Sequence, residues 1–249
     1  TPKWADKAKK AVFSIVTYDK ENKIKNTGNG FYIDNNGTAL SDYSLFEDAE
    51  RAVIINADGK ELPVTRIAGA NSMYDVIKFR TETEKKITAL KVATQPAAVG
   101  ETVYLLPYST QKAATCQTGK VTQVDTIADK AYYYTLTMTT SDKTVSCPIM
   151  NANGEVLGLI QKSASEEDKE SYAIGASYGE SLSISPLSAN DINLNKIGIA
   201  KALPETEDQA LVYLYMSSSQ MDAKNYLATL NDFLQAYPNS TEGYTRRAG

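Results

Sequence analysis

Over residues 12–175 the chain alternates short β-branched and aromatic segments with compact turn signals, and that rhythm restricts it to an antiparallel β fold. The segments are Val12–Tyr18 (VFSIVTY), then residues 31–33, 52–56, 61–68, 76–80, 101–106, 119–124, 131–139, 148–150 and 155–161. Asp34-Asn35-Asn36-Gly37, Asp58-Gly59 and Asn153-Gly154 separate neighbouring segments. Each predicts a hairpin turn, because Asn-Gly and Asp-Gly readily supply residues at φ > 0. Helical periodicity is almost absent from this stretch. Many short strands at this spacing predict an all-β barrel or sandwich. A short amphipathic helix over residues 4–10 is expected ahead of it, behind Thr1-Pro2.

The pattern changes after residue 180. Residues 181–204 carry two prolines, Pro186 and Pro204, among small polar residues, and read as a connector that packs on the barrel. From Glu205 the period becomes helical. Leu211, Leu214 and Tyr215 are expected to share one face, and Tyr226, Leu227, Leu230, Phe233 and Leu234 another. The second helix should stop at Ala236-Tyr237-Pro238-Asn239. The expected division is therefore 1–180, 181–204 and 205–249.

Composition narrows the chemistry. The 249 residues include no histidine. A serine or cysteine nucleophile at neutral pH usually needs a neighbouring imidazole to take its proton, so no His-based triad or dyad exists in this chain. With only two cysteines, Cys116 and Cys147, a thiolate zinc cluster is excluded too, and no metal or cofactor is expected. A net charge of −4 without a Lys/Arg cluster argues against a nucleic-acid partner. No run approaches the roughly 18 apolar residues that span a bilayer. Sixteen tyrosines against five phenylalanines favour positions with one wet edge, such as strand surfaces and binding faces.

Five stretches then resemble, in order, the trypsin-like proteases of the bacterial HtrA/Deg type. Thr27-Gly28-Asn29-Gly30-Phe31-Tyr32-Ile33-Asp34 resembles the family's G-x-G-F-x-I hairpin, and residues 57–64 the D-G hairpin after it. Tyr74-Asp75-Val76-Ile77-Lys78-Phe79 is similar to the segment that supplies the catalytic aspartate. Residues 148–160 are similar to the strands after the nucleophile, and Tyr172-Ala173-Ile174-Gly175 to the closing strand, with Gly175 at a proline position. The resemblance covers about residues 11–178. It implies two six-stranded antiparallel β-barrels with an active-site cleft between them, and an extracytoplasmic bacterial setting.

Carried over residue by residue, the same resemblance implies a site without its machinery. Ser44 stands at the histidine position, within Ser41-Asp42-Tyr43-Ser44-Leu45-Phe46. Asp75 retains the aspartate and, with no imidazole to orient, is expected to accept local backbone N–H groups. Lys143-Thr144-Val145-Ser146-Cys147-Pro148 falls on G-N-S-G-G-P, which puts Val145 at the nucleophile. The oxyanion-hole positions are Lys143 and Val145, and the family's glycines there are replaced by Lys143, Ser146 and Cys147. For the cysteines three alternatives stay open: two buried thiols, a Cys116–Cys147 disulfide across strands that the family places side by side, or a reactive Cys147, against which stands an expected pKa near the free value of about 8.5.

Residues 223–248 resemble one helix of a tetratricopeptide repeat, its closing turn at Tyr237-Pro238-Asn239-Ser240, and the first helix of the next. A plain helical hairpin packed on the barrel is the alternative. The expected function is binding of a peptide or protein by a protease fold that does not hydrolyse it. Two rivals are an active endopeptidase using Ser146 or Ser44 with a lysine such as Lys143, and a scaffold that positions the repeats.

Overall fold

The computed structural model describes residues 1–127, 131–163 and 169–240. Its strands are β1 (Val12–Tyr18), β2 (Ile24–Tyr32), β3 (Thr38–Ser41), β4 (Arg51–Ile55), β5 (Glu61–Asn71) and β6 (Val76–Thr81), followed by β7 (Thr102–Leu105), β8 (Gln117–Ile127), β9 (Ala131–Leu136), β10 (Pro148–Met150), β11 (Val156–Ile160) and β12 (Ser171–Gly175). They close into two antiparallel barrels of six strands, ordered β1-β2-β3-β6-β5-β4 and β10-β11-β12-β9-β8-β7. Closure leaves no unpaired edge along either barrel. The helices are α1 (Ala5–Ala8), α2 (Tyr43–Phe46), α3 (Ala176–Ser181), α4 (Ile192–Asn195), α5 (Glu207–Ser217) and α6 (Ala223–Ala236).

The hairpin turns share one construction. Asp34 Oδ1 accepts the N–H groups of Asn36 and Thr38 at 2.8 and 3.0 Å. Asn56 does the same for Asp58 and Lys60, and Asn151 for Asn153 and Glu155. In each, the glycine one residue before the second donor takes φ near +80 to +90°: Gly37 at 88°, Gly59 at 81° and Gly154 at 78°. Only the glycine takes positive φ, so the turn depends on an Asx acceptor three residues ahead of it rather than on an Asn-Gly pair.

Three apolar clusters follow. One fills the first barrel around Phe13, Ile15, Ile54, Ile67 and Phe79. Another fills the second around Val103, Leu136, Cys147 and Ile149. The third lies between the barrels, where Val12, Phe31, Leu40 and Val76 meet Leu106, Met150, Leu159 and Ile174, joined by Ala5, Ala8 and Ala11 from the N-terminal helical turns. Trp4 carries α1 across the seam: its Nε1–H donates to Ala152 O at 2.9 Å, and its ring lies against Gly154.

The C-terminal segment belongs to the first barrel's core. Ile184, Ala189, Leu194, Ile197 and Ile199 join that cluster, as does Tyr213 of α5. The Ala200 carbonyl accepts the Ile67 N–H, and the Ala202 N–H donates back to Ile67 O, both at 2.8 Å. Arg66 on β5 holds Asp232 on α6 with two parallel bonds of 2.7 and 3.0 Å. The helix faces match the expected ones in part: Leu214 of α5 and Leu230, Phe233 and Leu234 of α6 are buried. Ala210, Tyr213, Leu214 and Ser217 are buried on α5, while Tyr215 is 68% exposed, and Leu227 of α6 is 51% exposed. The buried face of α5 takes in Tyr213 beside Leu214 and leaves Tyr215 outside. Residues 241–248, which carry the second half of the repeat resemblance, lie outside the described residues.

The G-x-G-F strand is packed to the limit at Gly30. A Cβ there would lie 2.7 Å from Leu40 O and 2.8 Å from the Phe13 ring. Gly30→Ala should destabilise the protein by about 1–3 kcal/mol, the range typical of overpacking, in urea unfolding followed by tryptophan fluorescence.

Candidate functional site

Where the barrels face each other, Ser44 and Asp75 come into direct contact. Asp75 occupies the turn between β5 and β6, and its Oδ1 accepts the Ser44 N–H at 2.7 Å. Ser44 Oγ lies 3.0 Å from Asp75 Oδ2. The expectation that Asp75 serves local backbone is thus corrected: it accepts a backbone N–H, but one 31 residues away, because its left-handed φ of 53° turns the carboxylate toward α2. Burial raises the Asp75 pKa, the Ser44 N–H bond opposes this, and the neighbouring Asp42 charge adds to the rise.

Asp42 is the residue that sequence reasoning missed. It caps α2, accepting the Leu45 N–H at 3.2 Å through Oδ2. The same oxygen lies 2.9 Å from Ser44 Oγ, while Oδ1 accepts the Ser146 hydroxyl at 2.7 Å. The last bond crosses from the first barrel to the second. A cap signal was present, an aspartate directly before a short helical turn. Its bond to Ser146, 104 residues on, was not readable.

The loop from Ser141 to Cys147 is folded against this network. Asp142–Thr144 form a single 3₁₀ turn capped by Ser141, whose Oγ accepts the Lys143 N–H at 3.3 Å. The Asn29 carboxamide donates to both Lys143 O and Val145 O, at 2.8 and 3.0 Å. Asn29 was also missed, since an asparagine between two glycines read as part of a turn. Ser146 holds φ of 65° and is fully buried. Its backbone thus keeps a conformation that glycine adopts freely, and its hydroxyl is spent on Asp42. Ser146 Oγ therefore has no exposed surface.

Val145 and Ser44 line one cavity of about 280 Å³, together with Gly28, Asp42, Leu45 and Lys162. The Lys143 side chain is exposed, whereas a lysine base needs desolvation. A larger cavity of about 560 Å³ sits where the first barrel meets the helices and is lined in part by Lys201. Burial lowers the Lys201 pKa to about 8. Its amine donates to Ile197 O and Ile199 O at 2.6 and 2.8 Å, a structural use.

The cysteines are both free. Cys147 lies in the second-barrel core and Cys116 packs at the inter-barrel cluster, so the disulfide alternative is corrected. The expected ordinary pKa for Cys147 is corrected as well, since complete burial pushes it up to about 12. Such a thiol is inert.

The sequence profile of the trypsin-like peptidase domain matches residues 28–159, just over half of the chain. The chain belongs to the trypsin-like peptidase family. Among solved structures this trypsin-like chain is similar to the Rv3671c protease of Mycobacterium tuberculosis in its active form, at 17% identity and a TM-score of 0.57, over 68% of this chain and 78% of that one. It is also similar to a serine endoprotease from Yersinia pestis, at 15% identity and a TM-score of 0.58, over 76% of this chain and 64% of that one. At these identities the likeness is one of fold. No curated protein sequence matches the chain significantly.

Ser146 gives a paired prediction for this site. Ser146→Ala loses a hydrogen bond to a carboxylate and keeps the unfavourable φ, so it should cost about 2 kcal/mol in chemical unfolding. Ser146→Gly loses the same bond but relieves the backbone, and should be roughly 1 kcal/mol less damaging than alanine. Equal losses in the two variants would contradict the role given to the backbone.

Proposed function

We propose that this chain is a trypsin-like domain that does not hydrolyse peptides and instead holds a peptide or protein segment in the former substrate cleft. The observation that carries the reading is the pair facing the cavity, Ser44 and Val145. By the family resemblance these are the positions of the base and the nucleophile. A hydroxyl is no base near neutral pH and a valine has no atom to attack with. The chain contains no histidine that could be recruited from elsewhere.

The oxyanion side supports the same conclusion. An oxyanion hole needs N–H donors aimed into the cleft. The Lys143 N–H is instead taken by Ser141 within the 3₁₀ turn, and the carbonyls of Lys143 and Val145 are held by Asn29. What survives is a small, mostly polar pocket to which Leu45 and Val145 add apolar surface, sized for one side chain of an extended ligand. We place the protein outside the cytoplasm on family resemblance. Among the described residues no helix is long and apolar enough to cross a membrane.

Two experiments address the reading. In the first, a mixture of degenerate-sequence peptides is added to methyl-labelled protein. The Val145 and Leu45 methyl resonances should shift, and the cavity-filling Val145→Phe should abolish the Leu45 shift. Shifts confined to the helices α5 and α6 would move binding away from the cleft. In the second, the missing side chains are restored. Ser44→His with Val145→Ser should give no ester hydrolysis, because losing even one oxyanion donor costs on the order of a hundred- to a thousandfold in rate. Turnover should require Lys143→Gly, Ser146→Gly and Cys147→Gly in addition. Turnover by the double variant alone would mean the loop keeps a catalytic shape.

A further inference from the structure

Ser44 is exposed, yet its single hydroxyl hydrogen meets two carboxyl groups, and a proton held by one of them would satisfy both contacts. Ser44 Oγ carries a single hydrogen but lies 2.9 Å from Asp42 Oδ2 and 3.0 Å from Asp75 Oδ2. With both carboxyl groups ionised, one of these contacts sets a carboxylate oxygen against a lone pair. The other donors nearby are committed. Ser146 donates to Asp42 Oδ1, Ser41 to Asn29 O, the Leu45 N–H to Asp42 Oδ2 and the Ser44 N–H to Asp75 Oδ1. Asp75 Oδ2 is the carboxyl oxygen in this group whose contact is left for a proton to satisfy.

We propose that the former triad is a proton-gated clasp: Asp75 holds a proton and donates it to Ser44, Ser44 donates to Asp42, and Asp42 thereby keeps its grip on Ser146 across the two barrels. The charged groups that face Asp75 are Asp42 and Glu47, at the two ends of α2, and both are negative. The second-barrel loop reaches the network through the uncharged Ser146, while Asp142 and Lys162 line the cavity beside it. Burial raises the Asp75 pKa, Asp42 and Glu47 add to the rise, and the N–H and O–H of Ser44 oppose it. The folded state therefore retains a proton that the unfolded chain releases. The stabilisation is fully present below the ordinary aspartate pKa of about 3.9 and is lost as pH rises through the higher folded value.

Loss of the proton leaves two carboxylates competing for one hydroxyl. The α2 turn then loosens at Ser44, and the wall of the cavity shared by Ser44 and Val145 loosens with it. This holds whether or not the cleft takes a peptide, because the clasp is internal to the chain.

The test is a pH titration of the full chain followed by carboxyl ¹³C and methyl NMR. The Asp75 carboxyl should titrate above the ordinary aspartate range, and the Val145 methyl shifts should follow the same midpoint. In Asp75→Asn an N–H donor replaces the acid proton permanently, so the Val145 response should disappear while the fold is kept at neutral pH. In Ser44→Ala the Asp75 carboxyl should still titrate, but the Val145 methyls should no longer follow it. Titration of Asp75 at or below the ordinary range, or a Val145 response that survives either substitution, would overturn the proposal.

Discussion

The apolar seam between the barrels sets everything that can happen at the site. Leu40 and Val76 stand at the ends of strands that lead into Asp42 and out of Asp75, and both are buried against residues of the second barrel and of α3. On the other side, Met150 is buried a few residues after Ser146. Because protein interiors are close-packed, these contacts leave the two loops little freedom to slide. The Asp42–Ser146 bond is a consequence of that fixed geometry. It completes a joint that the seam has already made.

On the proposed reading, polar residues here have a different task from the one they serve in a protease. Catalysis needs hydroxyl and N–H groups kept unspent and aimed at a reacting atom. Here Ser146 is bonded to Asp42, Ser44 lies between two carboxylates, and the Lys143 N–H is turned to Ser141. Ser146 is the buried member of this network, where an unpaired hydroxyl would be costly. On the proposed reading, the loss of a histidine and a nucleophilic serine removed the need for unspent donors, and the vacated groups now bind one another. Two residues of the network, Asp75 and Ser146, sit at left-handed φ, the conformational cost of holding that arrangement.

The fold was legible because its signals are local. The Asx acceptors of the Gly37, Gly59 and Gly154 turns lie within three residues of each glycine, and Val12–Tyr18 and Pro148–Met150 match the strands they predict. Ser44, Asp75 and Val145 could be placed by family resemblance. Asp42 and Asn29 could not, since their roles depend on partners more than 100 residues away, across the seam. On the helices the local pattern placed Leu214, Leu230, Phe233 and Leu234 correctly and misplaced Tyr215 and Leu227. Tyr213 is taken by the first barrel's core, a tertiary contact that leaves Tyr215 outside. Cysteine pairing also depended on tertiary position, which put each thiol in its own apolar cluster.

The central claim is that no hydroxyl in this chain is activated as a nucleophile. Intact-mass spectrometry after exposure to a fluorophosphonate probe tests this directly, because such probes acylate only activated serines and need no knowledge of the substrate. The account predicts unmodified protein at all incubation times, with an active trypsin-like protease labelled in parallel. A stoichiometric adduct that peptide mapping assigns to Ser44, Ser146 or any other serine would contradict it.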